Sequence, residues 1–278
     1  MSFSQHIDEQ STRITRYRNE QGVAILHERI DEAQTQANAW DQLALSAVVP
    51  ALIGLTVAVK ACFDVRGWVT TAGSRVLQDK PPANVDAPLV AALNRCGAVV
   101  TVQTNMTEFA FGALGLNPHF GTPLTPLDPL RQRIAGGSTS GGAVVVALGL
   151  TDLALGSDTS GSIRIPAAFC GVTGFKPSRG RYNDDGMIYL SPSFDVPGFI
   201  ARDVETLLRV DGALKPEEPS VSGKSICVGG GSSSPGGLPW SISIARSALP
   251  SARPWQRYNI TARSWSKRNG RNWPASAK

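Results

Sequence analysis

A chain of 278 residues with 42% apolar content can bury a sizeable core, and its apolar runs, such as 143–150, fall far short of the ~20 residues that span a bilayer. The opening MSFSQHIDEQ has no signal-peptide apolar region, so a cytoplasmic protein without a membrane partner is expected. The net charge of +5 belongs to the end of the chain, because residues 219–278 hold nine Lys or Arg and no acid, leaving 18 basic against 22 acidic residues in 1–218.

In chain order, residues 4–38 are polar with apolar positions at Val23, Leu26, Ile30, Ala33 and Ala37, which suits one surface helix with a buried stripe. A strand is expected over 52–60, LIGLTVAVK, ending on Lys60. A lysine at a strand end usually reaches solvent, and only a wider motif would give it another role. Asp86 is expected to cap a helix running to Asn94 and closed by Gly97, with a strand following over 98–103. Residues 104–128 mix a short helix with Pro and Gly turns and form a wrapping loop, so that 105–112 and Ser140 are placed along an acyl pocket. A helix over 143–150, a short strand over 153–156 and a helix capped by Asp203 complete an α/β alternation. Cys62, Cys96, Cys170 and Cys227 are far apart with no C-x-x-C, which indicates neither a metal site nor a disulfide framework and suits buried free thiols.

Between 133 and 177 lie two small-residue loops, Gly136 to Gly142 and Gly156 to Ser162, separated by an apolar helix and strand. Such loops let backbone N–H groups converge without Cβ atoms in the way, as an anion or a developing oxyanion requires. A phosphate loop is excluded by spacing, since the Gly-Lys-Ser at 223–225 has Glu218 where the leading glycine should stand. No dinucleotide fingerprint and no G-x-S-x-G elbow occurs, and the three histidines are His6, His27 and His119, outside both loops. A nucleophilic serine here needs a base other than histidine, and a lysine qualifies if burial lowers its pKa.

GGSTSGGA, then GSDTSGSIRIPAAFCGVTGFKPSRGR with its second serine 24 positions after the first, together with the upstream Ala58–Val59–Lys60, resembles the amidase signature family. The likeness covers roughly residues 50–229. It implies an α/β fold with a mixed β-sheet core flanked by helices, no cofactor, and a Ser-cisSer-Lys set with Ser162 as nucleophile, Ser138 as the bridging serine behind a cis Gly137–Ser138 peptide, and Lys60 as base. It further implies an oxyanion hole from the backbone N–H groups of Thr159, Ser160, Gly161 and Ser162. Asp158 and Arg164 support the loop or form a buried structural pair; both readings are open. The implied activity is hydrolysis of a small amide to acid and ammonia through an acyl-enzyme, with a homodimer compatible. Residues 180–207 resemble the indoleacetamide and mandelamide hydrolase branch, which implies a small aryl-bearing primary amide.

The sequence departs from the family pattern at Ala135, where a proline is usual, at Ser160, where glycine is usual, and at Ala61, where aspartate is frequent. Family members are much longer, so the chain reads as a truncated member with a domain over 1–229. The tail over 230–278, with four of the six tryptophans and no acid, carries three readings: a frameshifted continuation, a disordered terminus, or an Arg- and Trp-rich nucleic-acid-binding segment. An inactive fragment and the glutaminase component of a tRNA-dependent amidotransferase, its A subunit, are the alternative functional readings.

Overall fold

The computed structural model describes residues 1–44 and 49–215. The expected boundary at 229/230, the readings of the tail and Cys227 lie outside the described residues. Six α-helices and six strands are ordered α1 (Phe3–Asn19), β1 (Ile25–Glu28), α2 (Ile30–Leu43), β2 (Thr56–Lys60), α3 (Pro88–Arg95), β3 (Val99–Thr104), α4 (Ser140–Ala147), β4 (Leu153–Asp158), α5 (Arg164–Cys170), β5 (Thr173–Phe175), β6 (Val196–Ala201) and α6 (Val204–Leu214) among the described residues.

One mixed sheet runs β1-β3-β2-β4-β6-β5. Its middle is parallel, β3-β2-β4, with Val57 opposite Leu153 and Val59 opposite Leu155, while β1, β6 and β5 each pair antiparallel with their neighbour. Parallel strands buried on both faces are rich in apolar residues, and the period of two then sorts those side chains into two cores. Val57, Val59, Leu153, Leu155 and Phe199 pack on one face with Leu93 of α3 and Leu207 and Val210 of α6. Ala58, Val102, Ala154 and Ile200 pack on the other with Val144, Val145 and Val146 of α4 and Ile163. Helix α4 is buried on all sides, which explains why its sequence carries no polar face.

The expected helix over 4–38 is in fact a helix, a strand and a second helix. Helix α1 begins at a capping box in which Ser2 and Gln5 exchange side-chain and backbone hydrogen bonds, and it buries Phe3, Ile7, Gln10 and Ile14. Gln21 takes φ +60°, and the chain turns into β1. The apolar spacing at 23, 26, 30, 33 and 37 therefore crosses a strand and the start of α2, whose buried residues are Ala33 and Ala37. The strand expected from 52 starts only at Thr56, because 51–54 form turns closed by Leu55 N–H donating to Leu52 O at 3.1 Å. Asp86 is not the cap of α3. Ala87 holds that place with Pro88 as first helical residue, while the Asp86 carboxylate accepts from Arg66 N at 2.8 Å and Asn94 Nδ2 at 3.2 Å. Helix α4 starts at Ser140, earlier than expected. Asp203 does cap α6, accepting from Thr206 N at 2.7 Å, and β3 and β4 lie where strands were expected. Cys62 and Cys170 are buried free thiols and Cys96 is half-buried. Among the described residues no helix is long and apolar enough to cross a membrane.

Candidate active site

Parallel strands that share a register end together, and the carboxyl ends of such strands are where open α/β sheets bind ligands. Here β2 ends on Lys60 and β4 on Asp158. Lys60 follows Ala58 by two, so it leaves the strand on the α4 side, toward the loop that feeds α4. Its side chain is fully buried, and Nζ lies 2.8 Å from Ser138 Oγ, 2.8 Å from Ser157 Oγ and 3.4 Å from Ser157 O. Burial pushes the Lys60 amine below the usual lysine range, against smaller opposing pulls from Cys62, Asp158 and Asp195. A lysine that reaches solvent at most strand ends is here enclosed, with its amine in contact with two hydroxyls.

Ser138 follows a cis peptide bond with Gly137, as the resemblance implied. The loop before α4 is tightly closed: Gly137 N donates to Ala113 O at 2.7 Å, Thr107 N to Ser138 O at 3.1 Å and Thr139 N to Ser162 O at 3.0 Å. Residue 137 must be glycine on space alone, since a Cβ there would stand 2.6 Å from Gly115 N and from Thr107 Oγ1. The bond from Thr139 N to Ser162 O joins the two serine loops directly. Lys60, Ser138 and Ser162 thus meet in one place, with exposures of 0%, 0% and 6%.

The second loop is built around Asp158, which is fully buried. Its Oδ1 accepts from Gly161 N at 2.8 Å and Arg164 Nη2 at 3.0 Å, and its Oδ2 accepts from Ile163 N at 3.1 Å and Arg164 Nε at 3.0 Å. Burial alone would raise this carboxyl, yet Arg164 and the two backbone donors hold it below the usual carboxylate range. Asp158 and Arg164 therefore form a bidentate pair that winds the chain around Ser162 and into α5. Gly161 takes φ +133°, a conformation that L side chains rarely adopt, whereas Ser160, the residue replacing a usual glycine, is not among the positive-φ positions.

Of the four N–H groups implied for the oxyanion hole, that of Gly161 already donates to Asp158, because the Asx-type turn needs it. Those of Thr159, Ser160 and Ser162 donate to no other described residue. Asn105 does not line a pocket with its side chain. It is fully buried, and its Nδ2 donates to the carbonyls of Val23, Phe120 and Gly121, fastening the wrapping loop to the sheet. Ser140 is likewise buried, at the first turn of α4. Ser157, the second hydroxyl on Lys60, was missed by sequence reasoning. Its only signal was its position, two residues after Leu155, which pairs with Val59 on the neighbouring strand.

A family model described as Amidase matches residues 8–234, most of the chain. The chain belongs to the amidase family. This amidase-family chain is 42% identical over 191 residues to the AtzE component of 1-carboxybiuret hydrolase from Pseudomonas sp. (strain ADP), covering 68% of this chain and 41% of that protein. It is 47% identical over 156 residues to the A subunit of glutamyl-tRNA(Gln) amidotransferase from Methanospirillum hungatei JF-1, covering 56% and 36% respectively. Among solved structures it resembles a chain of the inhibitor-bound vestigial complex described as revealing the origins of an s-triazine catabolic enzyme. The TM-score is 0.74 at 38% identity, with 79% of this chain and 48% of that chain covered. The amidase-family chain thus spans less than half the length of these relatives, and its mixed sheet flanked by helices is the fold of amidase-signature structures.

Proposed function

We propose that the protein represented by this chain hydrolyses a small carboxylic amide to the acid and ammonia, with Ser162 as nucleophile, Ser138 as proton relay and Lys60 as general base. The observation that carries this reading is the fully buried Lys60 amine 2.8 Å from Ser138 Oγ, in an environment that favours its neutral form. A neutral amine has one lone pair and two N–H donors. The lone pair accepts from the Ser138 hydroxyl, and an N–H donates to Ser157 Oγ at 2.8 Å, so Ser157 turns the lone pair toward the relay.

In the forward direction the Ser138 proton passes to Lys60 as the Ser162 proton passes to Ser138. Ser162 Oγ forms a C–O bond to the amide carbon, and the carbonyl oxygen becomes the oxyanion facing the N–H groups of Thr159, Ser160 and Ser162. On collapse the C–N bond breaks, and ammonia leaves with a proton returned through Ser138 from Lys60. Water then attacks the ester by the same relay, regenerating Ser162 and releasing the acid. Small primary amides are the substrate class carried over from the resemblance.

A second reading rests on the 47% identity to the amidotransferase component: the same chemistry releasing ammonia from glutamine, dependent on partner proteins. The test is reaction of the 278-residue chain with a fluorophosphonate probe, followed by hydrolysis assays on primary amides and on glutamine. Labelling that disappears in Ser162→Ala and weakens in Lys60→Ala supports the site. No labelling of folded chain refutes it, and ammonia release from glutamine that appears only when amidotransferase partner subunits are added selects the second reading.

A further inference from the structure

The residues that make the site are held by groups the catalytic set does not include, and one stands out. Asp195, the residue before β6, is a carboxylate with 2% exposure. Both of its oxygens are engaged. Oδ1 accepts from the Thr159 hydroxyl, and Oδ2 accepts from Leu190 N at 2.7 Å and Ser191 N at 3.0 Å. The register of β4 and β6 puts Asp158 opposite Val196, which brings Asp195 alongside the first residue of the nucleophile loop.

The loop that Asp195 closes is anchored at its other end on the segment that follows Lys60. Asp64 N donates to Gly186 O at 2.8 Å, Ile188 N donates to Cys62 O at 2.8 Å, and Phe63 bridges Met187. Residues 186–195 therefore connect the base side of the site to the oxyanion side, and at that second end the link to the nucleophile loop is the bond between Asp195 and Thr159. The Asp158–Arg164 pair fixes the loop from Gly161 onward, through the N–H groups of Gly161 and Ile163. Thr159 and Ser160, which supply two of the three open N–H groups, lie before that brace.

We propose that Asp195 is the positioning residue of the oxyanion loop, holding the Thr159 and Ser160 peptides in place through the Thr159 hydroxyl. This rests on the amidase reading above. The tether fixes donors before the oxyanion forms, so no reorganisation is required at the moment of reaction. Outright loss of one oxyanion donor typically lowers the rate ~100- to 1000-fold, so a donor merely loosened is expected to lower it about 10- to 100-fold. Asp195 also acts on the base. Its carboxylate, like that of Asp158, favours the protonated form of Lys60 against the effect of burial.

These two actions give separable signatures. Thr159→Val keeps the shape and removes the tether while leaving the Asp195 charge. It is expected to slow the inactivation step of fluorophosphonate labelling about 10- to 100-fold, with probe affinity within about threefold of wild type and no change in the pH profile. Thr159→Ser restores the hydroxyl and is expected to recover most of the rate. Asp195→Asn can still bond the Thr159 oxygen through its amide, so it is expected to lose less rate than Thr159→Val, while the acid limb of the labelling profile moves to lower pH. Equal rates in wild type and Thr159→Val, or equal losses in the Val and Ser variants, overturn the proposal. A wild-type chain inert to the probe overturns the amidase reading as well, whereas a reactive wild type with indifferent variants overturns this inference alone. Circular dichroism and thermal midpoints of each variant separate these effects from misfolding, because a collapse of the 186–195 loop would alter probe affinity and rate together.

Discussion

Ser157→Ala removes the second hydroxyl on Lys60 and leaves the Ser138 contact in place, so its effect on the base can be worked out from two hydrogen bonds. In the protonated enzyme the ammonium donates to Ser157 Oγ, a charge-assisted bond worth about 1.5–3 kcal/mol; in the neutral enzyme the amine donates more weakly, about 0.5–1.5 kcal/mol. The variant therefore loses roughly 1 kcal/mol more from the charged form than from the neutral one. At ~1.4 kcal/mol per pKa unit, Lys60 should fall by roughly 0.7 unit from a value that burial already lowers. The sign follows directly: a lower pKa leaves more neutral base at a given acidic pH. The acid limb of the fluorophosphonate labelling rate should move to lower pH by about half a unit to one unit, while the plateau rate drops because the lone pair is no longer aimed by Ser157. Stopped labelling across pH ~5 to ~9 measures both quantities on one sample series. An acid limb that stays in place or moves to higher pH would refute the assignment of Lys60 as a neutral base oriented by Ser157.

Other consequences test separate parts of the structure. Lys60→Met should strongly reduce labelling while leaving the thermal midpoint equal to or above wild type, since a buried amine is exchanged for an apolar side chain of similar length; a large loss of stability would contradict a purely catalytic need for the lysine. Asp158→Asn should destabilise the chain by about 2–4 kcal/mol in denaturant melts at pH ~7, the figure reduced from that of a fully buried pair because Arg164 is 35% exposed. Asp158 has a lowered folded pKa, so its stabilisation is present above the unfolded value of ~3.9 and is lost as pH falls through the folded one; the difference between wild type and variant should shrink below pH ~4. Gly161→Ala should cut labelling sharply, because φ +133° disfavours any Cβ and that Cβ would stand 2.7 Å from Ile165 Cδ1. At the opposite end of β4, His6 Nε2 lies 2.8 Å from Asp152 Oδ2, and that bond raises the imidazole pKa. Its contribution is present below the unfolded value of ~6.5 and is lost as pH rises through the folded one, so His6→Gln should flatten the midpoint-versus-pH curve between about pH 6 and 8.

The loops of the candidate site were more legible in the sequence than the frame that carries them. The glycines and serines of the two loops follow spacing rules set by backbone approach, and those rules are local: Gly137 has no room for a Cβ, and Asp158 turns its own loop by bonding Gly161 N and Ile163 N a few residues on. Strands β3 and β4 were legible because each opens on an apolar run, Val99–Val100 in β3 and Leu153–Leu155 in β4. The segment 4–38 reads as one helix although Ala33 and Ala37 belong to α2 and Leu26 to β1, because a spacing of three or four residues carries no mark of where one element gives way to another. Strand β6 contains Pro197 and Gly198, which ordinarily argue against a strand, and it was invisible in the sequence; Gly198 is required there because a Cβ would stand 2.3 Å from Phe175 O. Ser157 and Asp195 escaped notice for a different reason. Each acts through a partner 36 or more positions away, Lys60 for the one and Thr159 for the other, and only the sheet register brings them together.

The central claim is that Ser162 supplies the attacking oxygen and that Ser138 only relays its proton. Fluorophosphonate treatment of the 278-residue chain, followed by protease digestion and mass spectrometry, locates the adduct directly. The account predicts a single adduct on the peptide carrying Ser162, absent from Ser162→Ala and strongly reduced in Lys60→Met. An adduct on Ser138 in the wild type, or labelling that persists undiminished in Lys60→Met, would contradict it.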